Sequence, residues 1–436
     1  MVLTIVISAI TVLAIILSLL IKPNFHIKGR SISFYWVFAL VGAIALIATG
    51  SISLDSVASG LTSSNAVNPL KLLAIFLSMT ALSVFLDEMG FFEYLAGVAV
   101  AHANTDQRVL FRYLYLLVSV LTVFTSNDIV ILTFTPFIMY FSKRANVNPL
   151  PFLIAEFVAA NTLSMALIIG NPTNIYVASN YGVDFLRYAE IMLIPSVASA
   201  IVGYIVLRIV FRKQLNEPMF VKVSKKHVTD KFLTIVGIVH LGVCILLLAI
   251  SSYIGLEMWY LCVGALISLV IVSGVYMIVK RIKPTVFWHC LHRLPYELVP
   301  FVVSMFVVAL ALDKCGLTTM LGNALGDTST IWVYGGASLL GANVFNNIPM
   351  SVLFSSVMGV LSGGALEGAT FATIIGSNIG AYLTPIGALA GIMWLNIVKR
   401  NGENISFLRF MKYGVVVAIP VMIVALLGLM ASLAIF

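Results

Sequence analysis

Runs of about 20 consecutive apolar residues recur along this chain, separated by short loops that carry most of its charge. A helix of that length crosses the ~30 Å hydrocarbon core of a bilayer, where the backbone has to be hydrogen bonded within the protein. Of the 436 residues, 61% are hydrophobic and 10% are charged, against about 25% charged in soluble domains. Ten-residue segments of alternating polarity are absent from the sequence, so we predict an all-α polytopic membrane protein.

We predict about ten transmembrane helices. The continuous spans are Val2–Ile21, Ile32–Ile52, Leu70–Leu86, Ile191–Leu207, Phe232–Tyr253, Met258–Val279, Leu298–Leu312 and Tyr413–Phe436. Two further spans are broken helices: Phe152–Ala178 is interrupted at Gly170–Asn174, and Ala369–Val398 is interrupted at Thr384–Gly387. A break at membrane depth frees backbone groups, and only protein, water or a ligand can bond them there.

Six loop regions hold all the Lys and Arg except Lys71, Arg187 and Lys314. The six are Lys22–Arg30, Arg108/Arg112, Lys143/Arg144, the Arg208–Lys231 linker, Lys280–Arg293 and Lys399–Lys412. By the positive-inside rule these main basic loops are cytoplasmic, in a multi-pass protein of the inner cell membrane with both termini outside. The formal charge of +8 is therefore attributed to orientation, and we expect no binding to nucleic acid.

The positions of the basic loops along the sequence, which we call the charge map, predict two re-entrant hairpins. Cytoplasmic charges bracket the arms Tyr113–Phe124 and Ile129–Phe141, each too short to cross alone, so the first tip is Ser126–Ile129. The arms Ile331–Phe345 and Ile348–Val360 have no flanking Lys or Arg. That second hairpin is predicted to enter from outside, with its tip at residues 345–349.

Short motifs recur in one order along the chain, which indicates an internal repeat. The matches are Ser78-Met79 with Ser304-Met305, Leu86-Asp87 with Leu312-Asp313, Asn127-Asp128-Ile129 with Asn346-Asn347-Ile348, Asn161 with Asn378, and Phe185-Leu186-Arg187 with Phe407-Leu408-Arg409. The charge map gives the two copies opposite directions, so we predict two inverted-topology repeats over residues 70–211 and 296–436. Residues 1–69 supply two N-terminal helices. Residues 212–295 supply the basic linker and two connecting helices.

Transporters with inverted repeats bind their substrates at broken helices near the bilayer midplane. The predicted substrate or ion ligands are the polar residues of the tips and breaks. They are Ser126, Asn127, Asp128, Asn161, Thr173, Asn174, Asn346, Asn347, Ser377, Asn378 and Thr384, with Thr162, Asn171 and Ser351 nearby. Amide and hydroxyl groups suit a neutral polyhydroxy solute or a sodium ion. Each of these groups could instead cap a helix end.

Two carboxylates are predicted as a proton relay. Asp128 lies at the first tip, where the repeat motif places Asn347 opposite it, so only one side carries a titratable group. An intramembrane carboxylate is by default a functional hypothesis, commonly a proton or cation relay. Glu156 sits in an apolar run about one turn after Pro151, where a relay role and snorkelling to the inner interface are both open.

Other chemistries have little support in the sequence. His289-Cys290-Leu291-His292 lacks a fourth ligand and a zinc spacing, and the four cysteines share no CxxC spacing. A phosphate-binding loop signature is also absent from the sequence. We therefore predict a transporter and no enzyme, with no metal and no cofactor, coupled to a proton or sodium gradient.

The stretches SNDIVILTFTPF, ANTLSMALIIGNPTN, NNIPMS and SNIGAYLTPIGALAGIMWLN resemble the arsenite-efflux permease (ArsB) family of the ion-transporter superfamily. That superfamily includes NhaD-type sodium/proton antiporters and dicarboxylate and citrate carriers. The resemblance implies proton-driven export of arsenite or antimonite, small inorganic substrates, in some members with a cytoplasmic ATPase subunit. The family's functional positions fall on Asn127, Asp128, Asn174, Asn346 and Asn378.

Several alternatives stay open at this point. A sodium/proton antiporter would use Asp128 as the carboxylate shared by both ions. A dicarboxylate or citrate transporter is disfavoured because no Lys or Arg lies near the predicted tips. A channel would need a continuous polar path, whereas broken helices closed by opposed hairpins favour alternating access. The sequence makes no prediction of the oligomeric state.

Overall fold

The computed structural model describes residues 1–21, 25–27, 30–32, 34–62, 68–103, 105–219 and 228–436. Helices dominate the described chain, as predicted. The exception is a small antiparallel pair of strands, β1 (Phe25–Ile27) and β2 (Arg30–Ile32), which ends where the sequence places the start of the second span. Of the predicted basic loops, Lys22, Lys28, Lys222, Lys225 and Lys226 lie outside the described residues.

The first half of the chain forms ten helices. They are α1 (Val2–Ile21), α2 (Tyr35–Ala48), α3 (Leu54–Thr62), α4 (Pro69–Glu88), α5 (Phe91–Ala103), α6 (Gln107–Phe124), α7 (Asn127–Ala145), α8 (Leu150–Leu163), α9 (Pro172–Asn180) and α10 (Phe185–Val210). Short 3-10 segments follow at Ile168–Gly170 and Gln214–Asn216.

The second half forms α11 to α21. They are α11 (Lys231–Ala249), α12 (Ser251–Ile254), α13 (Met258–Lys280), α14 (Thr285–Arg293), α15 (Leu298–Lys314), α16 (Leu317–Leu325), α17 (Thr330–Phe345), α18 (Asn347–Val357), α19 (Gly363–Gly380), α20 (Leu389–Arg400) and α21 (Phe407–Ile435). A 3-10 turn, Met358–Val360, extends α18.

Apart from the single turn of α12, the helix order of the first half recurs in the second, from α1 with α11 to α10 with α21. The packing is reciprocal: α7 packs on α20 as α18 packs on α9, and α2 packs on α15 as α13 packs on α4. Such exchanged contacts are what a pseudo-twofold relation between the halves produces. The recurring order also includes α1–α3 and α11–α14, whereas the repeats predicted from the sequence cover only residues 70–211 and 296–436.

The helices pack in two groups. The hairpin bundle consists of α6–α10 and α17–α21, and the flanking bundle consists of α1, α2, α4, α11, α13, α14 and α15. Contacts between the groups run mainly from α4 and α15 to α7, α9 and α18. The short helices α5 and α16 connect one group to the other. The tips and breaks therefore lie within the hairpin bundle, with the flanking bundle against one side of it.

Helix ends that the charge map places on one side of the membrane contact each other. Arg293 Nη atoms lie 2.5 Å from Asp87 Oδ2 and 2.7 Å from Glu88 Oε1, which joins the end of α4 to the end of α14, five residues before α15 begins. On the other side, Arg187 lies 2.7 Å from Glu367 and donates to the Phe436 carbonyl. These contacts fit antiparallel α4 and α15, as inverted repeats require.

Seven helical stretches of the described residues are long and apolar enough to cross a membrane. They are Pro69–Glu88, Gln107–Phe124, Phe185–Val210, Lys231–Ala249, Met258–Lys280, Thr285–Lys314 (α14 and α15 together) and Phe407–Ile435. Shorter apolar helices, among them Val2–Ser18 and Tyr35–Ala48, accompany them. A multi-pass membrane protein is therefore confirmed, while the number of full spans stays a prediction.

The arms of the first hairpin are longer than the sequence predicts. Asp106 caps α6 by accepting from the Arg108 N–H, so the helix begins six residues before Tyr113 and contains 18 residues. The second arm, α7, contains 19 residues and ends beyond Lys143 and Arg144. At 1.5 Å per residue the arms measure about 27 Å and 28 Å. Arms of this length can each cross the membrane, so their lengths do not require a re-entrant path. The prediction of a re-entrant first hairpin therefore depends on the charge map alone.

Labelling of single cysteines tests that path. We expect Arg108→Cys, Lys143→Cys and Lys399→Cys to react with impermeant maleimides only from the cytoplasmic side, and Gly364→Cys only from outside, because basic loops stay inside. Intact cells and inverted vesicles give the two sides, and the partly buried Cys315 is first replaced by alanine. Reaction of Arg108→Cys and Lys143→Cys from opposite sides would make α6 and α7 full spans.

Candidate functional site

The two broken helices are interrupted over longer stretches than the sequence predicts. The first break covers residues 164–171, because Pro172 takes the first position of α9, where its missing N–H costs nothing. Residues 172–174 are thus helix and not break. The second break covers residues 381–388 and contains the predicted Thr384–Gly387.

A glycine allows each break to fold back on the preceding helix end. A Cβ at Gly170 would lie 2.2 Å from the Ser164 carbonyl oxygen, and one at Gly387 would lie 2.3 Å from the Gly380 carbonyl oxygen. Both obstacles are backbone atoms, which cannot rotate away. The two glycines hold corresponding places in the repeats, so both breaks need a residue without a side chain there.

Ser164, Asn171, Asn174 and Asn378 form an amide cluster that joins the two breaks. Asn378 Oδ1 accepts from Ser164 Oγ (2.9 Å) and Asn171 Nδ2 (3.1 Å), and Asn378 Nδ2 donates to Asn174 Oδ1 (2.7 Å). Asn174 Nδ2 donates to the Ser164 carbonyl at 2.7 Å. All four residues are buried. Since the amides bond one another, the cluster links the repeats and leaves little capacity for a ligand.

The first hairpin tip joins this cluster but retains free polar atoms. Asn127 Nδ2 donates to Asn161 Oδ1 at 3.1 Å, and Ser164 Oγ donates to the Asn161 carbonyl at 2.9 Å. Asn127 Oδ1 and Ser126 Oγ are buried and have no hydrogen-bond partner among the described residues. Ser126 is the N-cap of α7, yet its side chain makes no capping bond.

The second tip is tied to the backbone of the second break. Asn346 Nδ2 donates to the Ile386 carbonyl at 2.9 Å, and the Asn347 N–H donates to the Gly387 carbonyl at 3.0 Å. Asn347 Oδ1 and Ser377 Oγ are buried without a partner in the described chain. Among the predicted site residues, each predicted repeat therefore contributes two unpartnered side-chain oxygens, and such groups are costly at membrane depth unless a ligand engages them.

The threonines of the predicted site stabilise loops and helix ends. Thr173 Oγ1 donates to Asn171 Oδ1 at 3.1 Å, and Thr384 Oγ1 donates to Asn343 Oδ1 at 2.7 Å. Asn343 itself was missed by the sequence reasoning. Its Nδ2 donates to the Gly380 carbonyl at 2.9 Å, where α19 ends. A polar side chain one turn before the Asn346-Asn347 tip was the available signal.

Asp128 lies in the first turn of α7, partly exposed, and no described residue hydrogen bonds to its carboxyl group. The side chain lies within electrostatic range of Tyr35, the first residue of α2 in the flanking bundle. Asn127 and Asn347 are the first residues of α7 and α18, and both have an Oδ1 without a partner in the described chain. These helix starts differ by one residue from the motif register, which pairs Asn127 with Asn346 and Asp128 with Asn347.

Glu156 does not reach the membrane interface, because its side chain is only 2% exposed. Its carboxyl oxygens accept from Thr135 Oγ1 on α7 (3.0 and 3.2 Å) and from Trp394 Nε1 on α20 (3.2 Å). The carboxyl group thus joins both repeats, away from the tips. This bonding favours a structural role over snorkelling.

Fixed positive charge lies away from the tips. The described ion pairs of Lys71, Arg108, Arg187 and Arg293 all lie near helix ends. In the described part of the chain, no group of three or more His, Cys, Asp or Glu residues is arranged to hold a metal ion. The free oxygens at the tips can accept hydrogen bonds from a neutral hydroxide or coordinate a small cation.

Known proteins resemble the chain over most of its length. The arsenical pump membrane protein of Escherichia coli K12 is 29% identical over 372 residues, which are 82% of this chain and 85% of that protein. A putative arsenical pump membrane protein of Bacillus subtilis is 23% identical over 411 residues, 87% and 90% of the two chains. The crystal structure of the Alcanivorax borkumensis YdaH transporter aligns with a TM-score of 0.50 at 13% identity, covering 100% of this chain and 97% of that one, which supports the fold.

The family described as citrate transporter (CitMHS) matches residues 30–370, which include both hairpin tips. That match covers well over half of the chain. The resemblance of the tip and break motifs to the ion-transporter superfamily is thereby confirmed, and the chain is a membrane transporter. The protein belongs to the citrate transporter (CitMHS) family, within the ion-transporter superfamily.

Proposed function

We propose that this transporter exports arsenite or antimonite from the cell in exchange for protons, by alternating access. The observation that supports this substrate best is the set of four buried side-chain oxygens without partners: Ser126 Oγ, Asn127 Oδ1, Asn347 Oδ1 and Ser377 Oγ. Trivalent arsenic and antimony hydroxides are neutral and offer O–H donors, which these oxygens accept. Relatives named arsenical pump membrane proteins add independent support.

Citrate fits this site poorly, although the family carries its name. A tricarboxylate needs Arg or Lys partners or several aligned N–H donors to replace its hydration. The partners of the tips are amides, a hydroxyl and backbone carbonyls, and the described ion pairs lie at helix ends. Two acceptor-rich tips would repel carboxylates.

A sodium ion is the second substrate that the site supports. Sodium takes oxygen ligands, and the free oxygens of the two tips and of Ser377 offer a partial shell that water or backbone carbonyls would complete. Asp128 beside the first tip would then alternate between the ion and a proton, as in a sodium/proton antiporter. Growth tolerance to arsenite, antimonite, sodium and lithium distinguishes sodium from arsenite as the substrate.

Asp128 is the proposed proton carrier. It is the one carboxylate within two residues of a free tip oxygen, and it lies within electrostatic range of Tyr35 in the flanking bundle. A charge held there without a hydrogen-bonded cation costs free energy, which protonation removes. Proton loss on one side of the membrane and uptake on the other would couple the site to the gradient.

Expression in an arsenite-sensitive host is expected to raise tolerance to arsenite and antimonite several-fold, because export lowers the internal concentration. Growth inhibition curves give the measurement. Asn127→Ala removes a free tip oxygen and should abolish the gain. Ser268→Ala should preserve it, because Ser268 lies on α13 of the flanking bundle and its hydroxyl is hydrogen bonded to His240 on α11. Tolerance to sodium or lithium in place of arsenite would favour the antiporter, and no change for either would exclude both.

A further inference from the structure

A basic cleft lies at the end of α10, outside the transport site. Its volume is about 420 Å³, and its charged lining consists of Arg108, Arg208 and Arg212. The apolar part of the lining includes Ile205 and Ile209. The charge map places this end of α10 at the cytoplasmic surface, where the headgroups of the inner leaflet begin.

The positive charge of the cleft is not balanced within the protein. Arg108 pairs with Asp106 at 3.1 Å, and that hydrogen bond holds the pKa of the Asp106 carboxyl below its usual range. Arg208 donates a hydrogen bond to the Tyr204 hydroxyl at 3.3 Å. Neither Arg208 nor Arg212 pairs with a carboxylate in the described chain, and that part of the chain contains every Asp and Glu. Two exposed guanidinium groups are therefore available to an external anion.

The apolar side of the cleft continues along the lipid-facing surface of α10. Ile205 is 48% exposed and Ile209 is 68% exposed. Both belong to a helix that is long and apolar enough to span the bilayer. A ligand that fills the cleft therefore meets guanidinium groups at one end and exposed isoleucine side chains at the other.

We propose that this cleft binds the phosphate of an anionic phospholipid, whose acyl chains lie along Ile205 and Ile209. Arginine suits this role because its planar fork donates two parallel hydrogen bonds to a phosphate. Basic pockets between helices at the cytoplasmic side commonly hold anionic headgroups. An acidic subunit in the cytoplasm would match the arginines but would leave the isoleucines below uncovered, so the lipid matches more of the surface.

Lipid binding to the full-length protein in detergent tests the proposal, measured by native mass spectrometry. We expect phosphatidylglycerol to bind in preference to phosphatidylcholine. The double variant Arg208→Gln/Arg212→Gln should weaken phosphatidylglycerol binding about 25-fold, since each basic residue near a membrane surface contributes about fivefold. Arg281→Gln/Lys283→Gln removes two charges from the same predicted face outside the cleft and serves as the matched control.

Each other outcome contradicts the proposal. Equal binding of the two lipids, or unchanged binding by the Arg208/Arg212 double variant, would show that the cleft selects no anionic lipid. An equal loss of phosphatidylglycerol binding in the control variant would show that binding depends on overall surface charge and not on the cleft. Saturation by soluble glycerol phosphate at the same concentration as the lipid would identify a free-anion site that makes no use of the isoleucines.

Discussion

Replacing Asn378 by alanine is expected to abolish transport and to destabilise the protein by about 2 kcal/mol or more. The substitution leaves Asn171 Nδ2 and Asn174 Oδ1 without their partner at the junction of the two breaks, whereas Ser164 Oγ keeps the Asn161 carbonyl as an acceptor. A buried polar group that loses its hydrogen bond costs about 1–3 kcal/mol, and two groups are affected. The thermal midpoint in detergent measures stability, and vesicle uptake measures transport.

The neighbouring residue supplies a matched control. Ser377 lies on the same helix, is equally buried, and its Oγ has no partner among the described residues. Ser377→Ala should keep the thermal midpoint of the unmodified protein while weakening substrate binding. If Asn378→Ala is as stable as Ser377→Ala, the amide cluster does not hold the breaks together and the division between structural and binding residues is wrong.

Changing Asp128 to Asn is expected to leave folding and substrate binding intact and to reduce transport driven by a pH difference to background. The substitution preserves size, and no hydrogen bond between Asp128 and a described residue is lost. It removes the one titratable group beside the tips. The measurement is substrate movement in vesicles with an imposed pH difference, together with substrate exchange at equal pH, which needs no proton carrier.

Glu156→Gln is the comparison for this variant. Glutamine retains an oxygen acceptor for Thr135 and Trp394, so the contacts between the repeats persist. We expect a smaller effect on coupling than Asp128→Asn produces. Intact coupling in Asp128→Asn together with lost coupling in Glu156→Gln would move the proton carrier to the buried carboxylate.

Much of the fold follows from the sequence because apolar runs and basic loops obey simple physical rules. Both ends of α17 and the start of α18 agree with the predicted arms to within one residue, and the 3-10 turn Met358–Val360 carries the second arm to its predicted end. The first hairpin was predicted too short because Arg108 and Lys143 mark where charge begins, while the helices continue through those residues to Gln107 and Ala145. The position of the charged residues thus does not locate the helix ends.

The sequence did not predict which residues of the site are structural and which have atoms free to bind a substrate. Asn378 and Asn347 have the same side chain and both come from predicted tips or breaks, yet one is fully bonded and the other has a free oxygen. The partners of Asn378 lie more than 200 residues away. Such pairing depends on how the repeats pack, which no local pattern reports.

Transport by inverted membrane vesicles tests the central proposal most directly. Vesicles that contain the protein, energised to an acidic interior, are presented with labelled arsenite, antimonite, sodium or citrate in parallel. The proposal predicts that arsenite and antimonite accumulate inside the vesicles and that a protonophore collapses this accumulation. Vesicles that contain the Asp128→Asn variant are expected to accumulate neither substrate. Accumulation of sodium or citrate with no movement of arsenite, or arsenite uptake that survives the protonophore and the Asp128 substitution, would contradict it.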